Sequence, residues 1–213
     1  MKRLMLVGLL AVAPFTWALD PSGTEQLNAL QQRWAQIRYS TPPSQQAAAF
    51  EALAAQSASL VHQHPGSAEP LVWDGIVNSS WAGATGGLGA LGKVKAARAS
   101  LEKALAMDPK ALQGSAYTSL GALYDQVPGW PLSFGDSHKA EAMLRQALAI
   151  NPDGIDSNYF WADHLYRQNR YEEATAALHK AMQAPARPGR ALADQGRRGE
   201  IDALLKAIKD KQD

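Results

Sequence analysis

Cysteine is absent from all 213 residues. Disulfides, thiol nucleophiles and thiolate metal sites are excluded together, so the fold must be held by packing. An excess of one charge is missing too. The 21 Lys+Arg face 20 Asp+Glu, interspersed along the chain, and the basic footprint of a nucleic-acid binder is not there. Aromatic residues make up only 8%. The longest apolar run, Leu4 to Pro14, is far shorter than the roughly 20 residues that cross a bilayer. Glycine and proline are sparse within long alanine- and leucine-rich stretches. They gather instead in two segments, Ala82 to Gly92 with five glycines and Asp125 to Asp136 with two glycines and two prolines. The pattern is that of an all-helical chain interrupted twice.

What is present begins with a leader. Lys2 and Arg3, the apolar run, and Thr16-Trp17-Ala18 as a small-x-small site have the layout of a secretory signal. Residues 1–18 are therefore expected to be removed after Ala18, leaving a periplasmic chain with no stable membrane insertion. Without Lys2 and Arg3 the count becomes 19 Lys+Arg against 20 Asp+Glu, a formal charge of −1. The remaining length suffices for one domain with a proper core.

The chain superposes on itself. Lys95 to Pro109, His138 to Pro152 and Tyr171 to Pro185 align so that Ala97, Ala140 and Ala174 coincide, as do Leu101, Leu144 and Leu178, and then Ala104, Ala147 and Ala181. The offsets are 43 and 34 residues in all three columns. Positions i, i+4 and i+7 share one helical face, and alternating alanine with leucine lets two helices approach closely.

A 34-residue period of this kind, closed by proline, resembles the second helix of a tetratricopeptide repeat. The resemblance implies an all-α solenoid of helical hairpins with a first helix upstream of each segment. Tyr117, Leu120, Gly121 and Tyr124 match the family's aromatic, leucine, glycine and tyrosine slots; Trp161, Ala162 and Leu165 match in part. In Glu69 to Trp81, Trp73 is placed in the aromatic slot, with Ile76, Val77 and Ser80 following. The expected organisation is a degenerate helical pair over residues 19–66, three hairpins over 67–187, and a capping helix over 188–213 whose Leu204, Leu205 and Ile208 cover the last repeat.

Two hairpins depart from the family's spacing. Tyr124 to Ala140 is 16 residues and Ser80 to Ala97 is 17, where the family has nine; Leu165 to Ala174 is nine. The implied insertions are seven and eight residues. The glycine-rich one follows a helix, not a strand, and ends Gly92-Lys93-Val94, so it reads as a turn with left-handed residues and not as a phosphate loop. The other carries Pro128, Pro131, Trp130 and Phe134. Its aromatics are expected to find apolar cover, with Trp130 mostly buried, either stapling the loop across its own hairpin or lining a pocket shaped with the neighbouring loop.

The inserted hairpins, the export signal and the run from Pro128 to Pro152 are also similar to the periplasmic T components associated with TRAP transporters. That resemblance implies a small ligand handled beside a solute-binding component. The repeat resemblance implies binding through the inner face of each first helix. Those slots are Asp74, Asn78 and Trp81, then Thr118, Asp125 and Gln126, then Tyr159, Asp163, Tyr166 and Arg167, with Trp130 and Phe134 added from the loop. The set lacks the lysine and arginine cluster that would clamp an acidic peptide terminus. It favours an amide-, hydroxyl- or cation-bearing ligand.

No catalytic constellation accompanies it. His62 and His64 are two apart on a helix and point about 200° away from each other; His138, His164 and His179 are scattered over other helices, and Ser133 lacks a nucleophile's glycine frame. A non-enzymatic protein without cofactor or metal is expected. Two readings stand open: a scaffold that takes a periplasmic protein or peptide in an open groove, or a small-ligand component with an enclosed pocket touching Trp130.

Overall fold

The computed structural model describes residues 19–212. The expected signal and its cleavage site lie outside them. Nine α-helices and no strand occur among the described residues: α1 (Pro21–Ser40), α2 (Pro43–Gln63), α3 (Ala68–Thr85), α4 (Leu91–Met107), α5 (Ser115–Gln126), α6 (Ser137–Ile150), α7 (Ile155–Arg167), α8 (Tyr171–Met182) and α9 (Ala191–Gln212). Consecutive helices pack as antiparallel hairpins, and the fold is an all-α helical solenoid. Local signals set several boundaries. Asp20 accepts a hydrogen bond from the Gly23 amide to open α1, and Asp136 accepts from the His138 and Lys139 amides to open α6, satisfying donors that a helix start leaves unpaired.

The second-helix register is as the repeat predicts. The three alanine–leucine–alanine sets on α4, α6 and α8 are fully buried. Leu144 seats against Gly121, where an added Cβ would lie 2.5 Å from the leucine Cγ, and Leu101 seats in the same way against Gly75, at 2.4 Å.

That equivalence corrects the register read for α3. Gly75, not Val77, holds the small-residue slot, so Asp74 stands where Leu120 stands in the next repeat and Asn78 where Tyr124 stands. Trp73 draws the aromatic slot towards itself in the sequence, but its ring packs back on α1, edge-on to Trp34 at 5.8 Å between centroids. Ala162 lies 16 residues before Leu178, Gly121 lies 23 before Leu144 and Gly75 lies 26 before Leu101. The first insertion is therefore ten residues, not eight. Part of it extends α3 to Thr85, the left-handed Gly86 and Gly87 turn the chain, and a single 3-10 turn leads into α4.

The inner helices α1, α3, α5, α7 and α9 each pack on the next, and α9 packs back on α1. The solenoid closes on itself. Arg38 pairs with Glu200 at 2.7 Å, the Tyr39 ring lies directly under Gly196, and Ala193 joins the core of Leu27, Leu30 and Trp34. Asp156 on α7 receives Arg187 at 2.6 Å and Arg197 at 2.8 Å. Burial pushes the Asp156 carboxyl up, but the two guanidinium groups outweigh it and hold the group at about 2. Towards its end α9 does cover the last repeat, with Ile201 and Ile208 buried and Leu204 and Leu205 partly so.

Candidate functional site

The closure brings α9 against both α1 and α7. Three of the inner-face candidates are buried within the scaffold. Asp74 is held between the Ser57 hydroxyl at 2.7 Å and the Ser100 hydroxyl at 2.6 Å, Asn78 donates to the Asp74 carbonyl, and Thr118 is buried. Tyr159 lies beneath the Arg197 guanidinium, 4.3 Å from the ring centroid, and Tyr166 packs on Tyr171. Trp81 is covered by the Lys93 ammonium at 4.2 Å. These six are buried or partly buried, and five of them make these contacts within the solenoid.

The remaining candidates meet at the mouth of the second and third repeats, around the loop from Val127 to Asp136. That loop is pinned by backbone bonds from Gly135 to the Pro128 carbonyl and from Asp136 to the Tyr124 carbonyl, at 2.9 and 3.0 Å. Gly135 approaches Val127 so closely that a Cβ would lie 1.9 Å from its carbonyl oxygen, so only glycine fits there. Phe134 turns in against Tyr124, edge-on at 5.7 Å, with Arg98 over its outer face at 4.9 Å. Trp130 does not. It stands at the loop tip with 89% of its surface exposed, which corrects the expectation that it is buried. The short backbone closure at Gly135 draws Phe134 inward and leaves Trp130 on the far side of the turn, beyond the reach of either hairpin.

An open cleft of about 470 Å³ lies on one side of this loop, lined by Tyr124, Asp125, Val127, Gly135, Asp136, Ser137, Arg167 and Gln168. Arg167 Nε donates to Asp163 Oδ2 at 3.1 Å, and Gln126 reaches the same oxygen at 3.5 Å. Beneath them His164 Nδ1 lies 2.8 Å from Asp125 Oδ2. Burial raises the Asp125 carboxyl above its usual range, and His164 opposes that rise. On the other side of the loop a second, half-open cleft of about 370 Å³ is walled almost wholly by apolar side chains from both inserted loops, among them Leu88, Leu91, Val94, Pro128 and Leu132. Neither cleft is lined by Trp130.

His164, buried beneath the polar cleft, is a partner of Asp125 that the sequence did not reveal. It is 39 positions from Asp125, and no spacing rule connects them. Ser137 and Gln168 were equally invisible, being placed by the return of the loop and by the end of α7. The polar cleft offers carboxylates, an amide, a hydroxyl and a guanidinium, a set that suits recognition of polar groups. Among the described residues no group of three metal-ligating side chains assembles.

The geometry defines a repeat protein of helical hairpins. Sequence profiles described as tetratricopeptide repeat match residues 132–197 and 88–111, so the chain carries tetratricopeptide repeats in those stretches. A crystal structure of a thermophilic TPR protein of Thermus thermophilus is similar to it at a TM-score of 0.43 and 17% identity, over 84% of this chain and 98% of that chain. Comparison with curated proteins finds no match.

Proposed function

We propose that this protein is an exported, non-catalytic interaction scaffold of the periplasm, and that it takes a polar segment of a partner protein in the cleft beside the Val127–Asp136 loop. Tetratricopeptide repeats indicate a protein-interaction scaffold. The observation that carries the finer reading is the open cleft lined by Asp125, Asp136, Ser137, Arg167 and Gln168, with Asp163 held against Arg167 at 3.1 Å. The leader layout supports export. An open polar cleft suits a polar segment of a protein better than a small molecule, which is usually enclosed by mostly apolar walls.

The test has two arms. N-terminal sequencing of the protein from its own cells is expected to begin at Leu19; an intact Met1 overturns the export reading. A partner recovered by affinity capture is then titrated against purified protein and against Arg167→Glu and Gln168→Ala. Affinity is expected to fall about tenfold or more, equivalent to about 1.4 kcal/mol of binding free energy. Unchanged affinity in both variants removes the cleft from the reading.

A further inference from the structure

Among the described residues the exposed large hydrophobic side chains are Leu88, Trp130 and Leu132, at 80%, 89% and 63%. All three stand on the two inserted loops, which meet across the apolar cleft where Leu88 and Leu132 face each other's loop. Such clustering of apolar surface marks a docking region. The charges beside it are of one sign apart from Asp136. From Ala82 to Ala97 there is no acidic residue; the cations are Lys95 and Lys93, whose ammonium lies over Trp81 and donates to the Gly89 carbonyl at 2.9 Å. From Gln126 to Ala140 the only acidic residue is Asp136, and its carboxylate is occupied by the α6 amides, with the Lys139 ammonium 3.7 Å away.

We propose that the tips of the two loops dock on an anionic lipid surface, with Trp130, Leu88 and Leu132 entering the headgroup layer while the positive field of Lys93 and Lys95, on different sides of α4, draws the loops towards lipid phosphates. Three side chains on separate tips offer far less than the roughly 800 Å² that each partner contributes to a stable protein interface. A bilayer surface needs no matching shape, and it rewards apolar tips and adjacent cations together. Tryptophan is the side chain most at home at that boundary. Pro128 and Pro131, flanking Trp130, keep the tip stiff, so little freedom is lost on docking. No helix of the described residues is long and apolar enough to cross a membrane. The proposal is independent of the polar cleft.

Sucrose-loaded vesicles of phosphatidylcholine alone, and of phosphatidylcholine with an equal share of phosphatidylglycerol, are sedimented with the protein purified from its cells. Binding is expected on the anionic vesicles and about tenfold weaker on the neutral ones, on the electrostatic term alone. Trp130→Ser should weaken it by about tenfold, and Lys93→Gln with Lys95→Gln should remove the preference for anionic lipid. Circular dichroism confirms that each variant is folded. An undiminished partition of Trp130→Ser, or no binding to either vesicle, overturns the proposal. So does a result in which Trp130→Ser leaves vesicle binding untouched but abolishes binding of a purified protein partner, because the tip is then a protein contact.

Discussion

His164 Nδ1 and Asp125 Oδ2 lie 2.8 Å apart, joining the last turn of α5 to the last turn of α7, and both side chains are almost wholly buried. The pair ties the second repeat to the third directly beneath the polar cleft. Asp125→Ala leaves the imidazole without that partner in a site closed to water, and is expected to cost about 1–3 kcal/mol in urea denaturation. A double-mutant cycle with His164→Ala should show a coupling of about 0.5–3 kcal/mol. Additive effects would mean that the pair contributes little to holding the repeats together.

Gly121→Ala and Gly75→Ala run against helix propensity. In an exposed helix either change should stabilise by about 0.5–1 kcal/mol. Here the new Cβ meets Leu144 or Leu101 well inside van der Waals distance, with the Ala140 or Ala97 carbonyl behind it, so a loss of about 1–3 kcal/mol is expected. Leu144→Ala, which empties the same contact from the other side, should cost about 2–5 kcal/mol.

Acid should weaken the α7–α9 junction. Asp156 has a carboxyl near 2 in the fold against an ordinary 3.8. A depressed acid contributes stability that is full above its unfolded value and is lost as pH falls through its folded one. The stability difference between the wild type and Asp156→Asn is therefore expected to be constant above about pH 4 and to shrink towards pH 2. A difference that stays flat across that window would show that Arg187 and Arg197 do not hold the carboxylate.

The two loop aromatics should separate cleanly in thermal melts. Trp130→Ala is expected to change stability by no more than about 0.5 kcal/mol, because the ring touches little, whereas Phe134→Ala should cost about 1–3 kcal/mol. Equal losses would put Trp130 back into the packing.

Much of the fold was legible because repeat spacing is a local property. The Ala–Leu–Ala columns on α4, α6 and α8 recur at fixed offsets, and one helical face per segment follows from 3.6 residues per turn, whatever lies opposite. The α3 register was not legible. Choosing between Val77 and Gly75 depends on which residue lies under Leu101, and that is a contact across a hairpin. The same limit explains Trp130 and Phe134. Their composition demanded apolar cover for both, yet one backbone bond, from Gly135 to the Pro128 carbonyl, decides which ring turns inward.

By itself the sequence determined an all-helical repeat, its second-helix core, its two interruptions and its lack of thiol chemistry, since periodicity and composition need no partner. The tertiary structure alone decided that the solenoid closes. Arg38 meets Glu200 and Tyr39 meets Gly196 across more than 150 residues of chain. Such a meeting arises from the small rotation between successive hairpins, summed over the whole array.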